Sequence, residues 1–142
     1  MNSILRRRRE MMGLNQNWKP LTGLSWTIGE TLTAEGHNST AKYGSRTGYI
    51  NINSHPYVFK NNSAIKDAND KNLNLSIHEY SGTTWLRRTL MNESYVSQNG
   101  REVTLGADCT RYRLTFNYPS TSGQTMTQEI VDTYFSAEYK EG

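Results

Sequence analysis

The sequence predicts an all-β fold, an antiparallel sandwich or barrel, on three observations. Two segments alternate cleanly with period 2: Leu73, Leu75 and Ile77 against Asn74, Ser76 and His78, and Tyr112, Leu114, Phe116 and Tyr118 against Arg111, Arg113, Thr115 and Asn117. About eight short runs rich in β-branched and aromatic residues recur at regular intervals, with no strong helical pattern among them. Turn signals separate them at Ser81-Gly82, Asn99-Gly100 and Ser122-Gly123. Half-polar strands of this kind imply sheets with one face in the core and one face wet.

Taken in order, residues 3–12 read as a short helix. Ser3 suits an N-cap and Gly13 suits the position just past the end. Ile4, Leu5, Met11 and Met12 share one face of it, and Arg6, Arg7, Arg8 and Arg9 fan around the rest. Such a helix is too short to stand alone in water and needs a partner surface. Residues 13–23 read as a linker, so the division is 1–23 as anchor helix and linker and 24–142 as the β domain. Within the domain the predicted strands lie in Ser25–Thr33, Gly48–Asn53, Tyr57–Lys60, Leu73–Tyr80, Thr84–Thr89, Glu102–Leu105 and Arg111–Tyr118. A last strand falls within 129–139. Tyr80-Ser-Gly-Thr-Thr-Trp85 reads as a hairpin connection.

Composition narrows the function. The chain has 142 residues and a net charge of +3. Arg6 to Arg9 with Glu10 account for all of that charge, and residues 11–142 carry equal numbers of acids and bases. The body therefore has no bias toward a polyanion, and nucleic acid is not an expected partner. Mean hydropathy is −0.78 but 11% of residues are aromatic, which fits a folded domain with a thin core rather than a disordered chain. Cys109 is the single cysteine, so no intrachain disulfide is available, and it reads as a small buried hydrophobe. No apolar run follows the arginines, so no signal peptide is expected, and no stretch is long enough to span a membrane.

Candidate site residues follow from chemistry. Flat aromatic rings suit the C–H faces of sugars, and Trp85, Tyr80, Tyr43, Tyr57 and Tyr95 are the candidates for such a platform. For each taken singly, packing in the core is the plainer expectation. Trp85, just past a turn, is the best exposed candidate, and Trp26 reads as core. Arg87, Arg88, Arg111 and Arg113 read as an outward strand surface paired with Glu79, Glu93 or Asp108. His37, His55 and His78 lack metal-ligand spacing and read as solvated. Asp67, Asp70 and Asp108 leave calcium open, without an EF-hand pattern. Glu30, Glu35, Glu79, Glu93 and Glu102 offer carboxylates but no catalytic motif, so no enzyme, cofactor or metal is expected.

The order of features resembles a known family. A Trp-Thr-Ile-Gly strand precedes Arg46-Thr-Gly-Tyr-Ile50 and Tyr57-Val-Phe59. Then come Leu75-Ser-Ile-His-Glu-Tyr80, Trp85-Leu-Arg-Arg88, Val103-Thr-Leu105 and Arg111-Tyr-Arg-Leu-Thr115. This resembles the jelly-roll, carbohydrate-binding-like domains of tail and baseplate proteins in phages and prophages of Gram-positive, often gut, bacteria. The Ile-Leu-Arg-Arg-Arg-Arg opening resembles the start of small proteins of such phages. The resemblance implies a jelly-roll sandwich in a virion protein, homo-oligomeric in the particle. It implies attachment to other virion proteins through residues 1–20 and a glycan-binding surface for host adsorption. The alternative is a capsid decoration or tail-stabilising protein that makes only protein contacts.

Overall fold

The computed structural model describes residues 18–62, 65–91 and 101–142. The expected helix over 3–12, with its anchor residues, and the Asn99-Gly100 turn lie outside these. Two antiparallel sheets form a sandwich-like arrangement. The first sheet holds β1 (Lys19–Pro20), β10 (Ala137–Glu141), β5 (Tyr57–Asn61) and β8 (Arg101–Thr104), in that order. The second holds β2 (Trp26–Leu32), β3 (Asn38–Thr47), β9 (Arg111–Asn117), β6 (Asn74–Ser81) and β7 (Thr84–Met91), with β4 (Ile50–Asn51) also paired to β9. Pairing is nested. β1 joins β10, β3 joins β9, β5 joins β8 and β6 joins β7, the pairs alternating between the sheets.

The predicted alternation decides the core. Leu73, Leu75 and Ile77 are fully buried, as are Tyr112, Leu114 and Phe116, and they meet Tyr57 and Phe59 of β5 between the sheets. Each such side chain contributes about 1.5–3 kcal/mol of burial. Trp26 packs edge-on to Phe135 at 5.0 Å and joins the core as expected. Tyr57 and Tyr112 hydroxyls bond each other, and burial pushes both well above the ordinary phenol range. Cys109 is buried, which pushes its thiol up, and its Sγ donates to the Arg111 carbonyl. The Tyr80–Trp85 hairpin forms: Ser81 pairs with Thr84 around a two-residue loop whose Gly82 takes φ +60°.

Four expectations need correction. The linker ends earlier than Gly23. Lys19 and Pro20 pair with Tyr139 and Glu138, and the Trp18 ring lies under Lys60 and Lys140. A ten-residue strand, β3, runs where no strand was expected. It is polar, and its place is set by partners rather than by its own pattern. Part of the segment expected to hold the last strand is a helix, α1 (Gln128–Tyr134), capped by Thr127, whose hydroxyl accepts from the Ile130 N–H. Only β10 after it is extended. The polar faces of β6 and β9 are not wet: His78 is 1% exposed, Arg113 6% and Thr115 4%.

The join between β3 and β9 explains how a polar strand is held. Only Arg46 and Thr115 pair in register. Beside the Tyr118 N–H bond to the Tyr43 carbonyl at 3.0 Å, side chains make the join. Ser45 Oγ donates to the Phe116 carbonyl, Leu114 N–H donates to Thr47 Oγ1, and Asn117 Oδ1 accepts from Ser45 N–H. Asn117 Nδ2 continues to Thr31 at 2.7 Å, reaching β2. Buried hydroxyls and an amide thus replace the ladder that backbone groups would otherwise require.

Candidate functional site

The buried polar face of the second sheet opens into a cleft of about 230 Å³. Strand pairing sets Arg113 of β9 opposite His78 of β6, and His78 opposite Arg88 of β7. The β2–β3 turn brings Glu35, Gly36, His37 and Asn38 over one end, and Tyr49 descends from the β3–β4 connection. Tyr80, Thr83 and Trp85 complete the lining from the β6–β7 hairpin.

Arg113 forms the floor. Its Nε donates to the Thr47 carbonyl at 3.2 Å and its Nη2 to Asn38 Oδ1 at 2.8 Å. Tyr49 lies 5.0 Å from its guanidinium and 4.0 Å from that of Arg111, so one aromatic ring serves two cations. Tyr49 also meets Tyr80 edge-on at 5.0 Å. Tyr80 is buried and its hydroxyl donates to the Gly36 carbonyl at 2.7 Å. Burial pushes that hydroxyl above the ordinary phenol range, and a hydrogen bond from Arg113 and its charge pull the other way. Gly36 sits at φ +78°, and a Cβ there would lie 2.4 Å from the Trp85 ring. Glycine is therefore required for the turn to close on the indole.

Trp85 is half-buried and its Nε1 donates to His78 Nδ1 at 3.2 Å. That bond places the proton of a neutral His78 on Nε2. Burial, then the nearby charges of Arg88 and Arg113, push the imidazole down to about 4. His78 is therefore neutral at pH 7. It holds the indole in place rather than facing solvent, which corrects the solvated reading. His37 and His55 are exposed, and His55 Nε2 bonds the Cys109 carbonyl.

The five aromatics proposed as a platform separate. Trp85 and Tyr80 meet in the cleft, but Tyr80 is wall rather than stacking surface. Tyr57 is a core residue, stacked on Tyr139 at 5.4 Å. Tyr43 packs partly buried against the core. Tyr95 lies outside the described residues, as does Glu93. The ring that does face the cleft with Trp85 is Tyr49, 39% exposed, which the sequence reading passed over. Its signal was its neighbour Gly48, a place where the chain turns and a large ring can hang free of a ladder.

The arginines also divide. Arg87 behaves as expected, bridging Glu79 and Asp108 at 2.6 Å each, while Glu79 also accepts from Gly106 N–H. The hydrogen bond from Arg87, with its charge, holds the Asp108 carboxyl below its ordinary range. Arg111 bonds the Gly82 carbonyl, and Arg113 turns inward. Neither has a carboxylate partner among the described residues. Asp67 is committed to its own turn and to the Tyr118 hydroxyl, Asp70 to Lys66 and Asp108 to Arg87, so the three do not converge. Among the described residues no group of three or more His, Cys, Asp or Glu is placed to hold a metal ion. Of the carboxylates, Glu30 is paired with Arg46 and Glu79 is buried in its bridge, while Glu35 stands exposed at the cleft.

No family model, curated protein or solved structure matches this chain. Among the described residues no helix is long and apolar enough to cross a membrane.

Proposed function

We propose that this chain is a phage or prophage virion protein of the tail or baseplate type, displaying a jelly-roll domain that binds a glycan and performs no chemistry on it. The nested strand pairing supports the jelly-roll reading. Pairs β1/β10, β3/β9, β5/β8 and β6/β7 alternate between two sheets, as two wound Greek keys require, with β2 added at one edge. The single observation that carries the binding reading is the cleft itself. It joins an indole fixed by a histidine, an exposed phenol ring and several polar groups within a space suited to one sugar ring. It is smaller than the roughly 300 Å³ at which drug-sized pockets begin. Attachment to the particle is assigned to Ile4, Leu5, Arg6 to Arg9, Met11 and Met12, where a short amphipathic segment would dock on acidic, partly apolar partners.

The test is binding of the full-length chain to host cell walls, with polysaccharide-stripped walls as control and multimers to recover avidity. Saturable binding lost on stripping supports the reading. Equal behaviour on both walls overturns it and moves the assignment to a decoration or tail-stabilising protein.

A further inference from the structure

We infer that the cleft selects an anionic sugar, bearing a carboxylate or phosphate, and that Arg113 is the residue that reads the charge. The inference rests on the glycan-binding reading above and deepens it. A guanidinium 6% exposed, with no carboxylate partner among the described residues, is an unusual element for a small domain to retain. Burying a charge without a counter-charge is costly, and such groups are normally paired. Here the neutral Thr47 carbonyl and Asn38 amide hold two of its nitrogens, and the Tyr49 ring covers it. The neighbours on the same face add to the charge. Arg111 shares the Tyr49 ring, and Arg88 acts on His78 from the far side. Neutral His78 contributes no cation of its own at pH 7.

The remaining nitrogen, Nη1, bonds no carbonyl or carboxylate among the described residues. The guanidinium also hydrogen-bonds the Tyr80 hydroxyl, whose own proton is given to Gly36, so all its protein partners are neutral. An incoming carboxylate or phosphate oxygen would supply the missing negative charge that these neutral partners do not. Trp85 and Tyr49 then flank the ring that carries it. Glu35 is the one carboxylate in the lining and lies on the exposed turn at the mouth, where it suits sugar hydroxyls. A fully neutral sugar would leave the buried cation as it is and gain only stacking.

The experiment uses the full-length chain and soluble competitors. Binding to intact host wall is challenged with glucuronate, a sugar phosphate and glucose, each at matched ionic strength. The expected result is displacement by one or both anionic sugars at concentrations roughly tenfold or more below that of glucose, the two anions telling carboxylate from phosphate. Arg113→Gln should abolish that preference, and Arg113→Lys should restore part of it, with melting checked for each. Tyr49→Ala, at an exposed ring, keeps the guanidinium but removes stacking common to every sugar, and should weaken glucose and both anions alike while the anion preference persists. Equal competition by glucose and both anions overturns the inference and leaves glycan binding standing. Absence of wall binding by the native chain overturns the glycan reading itself.

Discussion

Leu114 and Arg113 are chain neighbours on one strand, both buried, on opposite faces of one sheet. Leu114 faces Tyr57, Phe59 and Ile77 in the apolar core, where burial is itself the driving force. Arg113 faces Tyr49, Asn38 and His78, where burial works against the charge and must be offset bond by bond. The difference teaches that depth alone does not identify a residue's job. On this face the same polar bonds also hold β3 against β9, and the cleft is the part of it left open.

That contrast can be broken from either side. The largest effect should come from the apolar face: Leu114→Ala is expected to cost about 2–5 kcal/mol, read from denaturant unfolding, without moving sugar preference. Acid should strike the polar face next. The folded His78 pKa of about 4 lies below the ordinary 6.5. The unfolded chain therefore takes up the proton first, so the contribution is whole above pH 6.5 and is lost as pH falls toward 4. The loss should be roughly 3 kcal/mol. His78→Gln should flatten that window. Below it Asp67 and Asp108, both held low by hydrogen bonds, take over the pH dependence in either protein. If the native chain melts alike at pH 7 and 4.5, His78 is not the neutral anchor of Trp85.

Smaller effects sharpen the boundary between the faces. Thr47→Val keeps shape but removes the acceptor for Leu114 N–H, and should cost about 1–3 kcal/mol. A neutral result would mean that the β3–β9 join closes without its side-chain bonds. Least of all, Glu30→Gln breaks the Arg46 pair near the sheet edge, where the Glu30 side chain is 37% exposed. The expected cost is about 0–1 kcal/mol, further reduced by salt.

The sequence showed the apolar face almost completely, because period 2 on β6 and β9 names the same residues that the core contains. It showed the polar face wrongly. Alternation reports which side is hydrophilic but not whether another segment covers it. The covering pieces here, the Gly36 turn and Tyr49, are distant in sequence from Arg113 and His78. β3 escaped for a related reason: residues such as Ser45 and Thr47 hold it through hydroxyls, and no hydrophobic pattern marks them. Helix α1 was hidden in a segment whose aromatics favour strands, with only the Thr127 cap to announce it. Trp85 stands beside the turn that marked it, half-buried at the cleft, and its partner His78 could be placed only once the register was known.

Trp18 lies at the edge of the first sheet, gripped by Lys60 and Lys140, whereas the cleft opens on the outer side of the second. The two sheets thus give the domain a front and a back. If residues 1–17 attach to the particle as proposed, the chain enters the domain at the first sheet, while the cleft opens from the second. Attachment and recognition would then use different sheets of one domain, so that neither need obstruct the other.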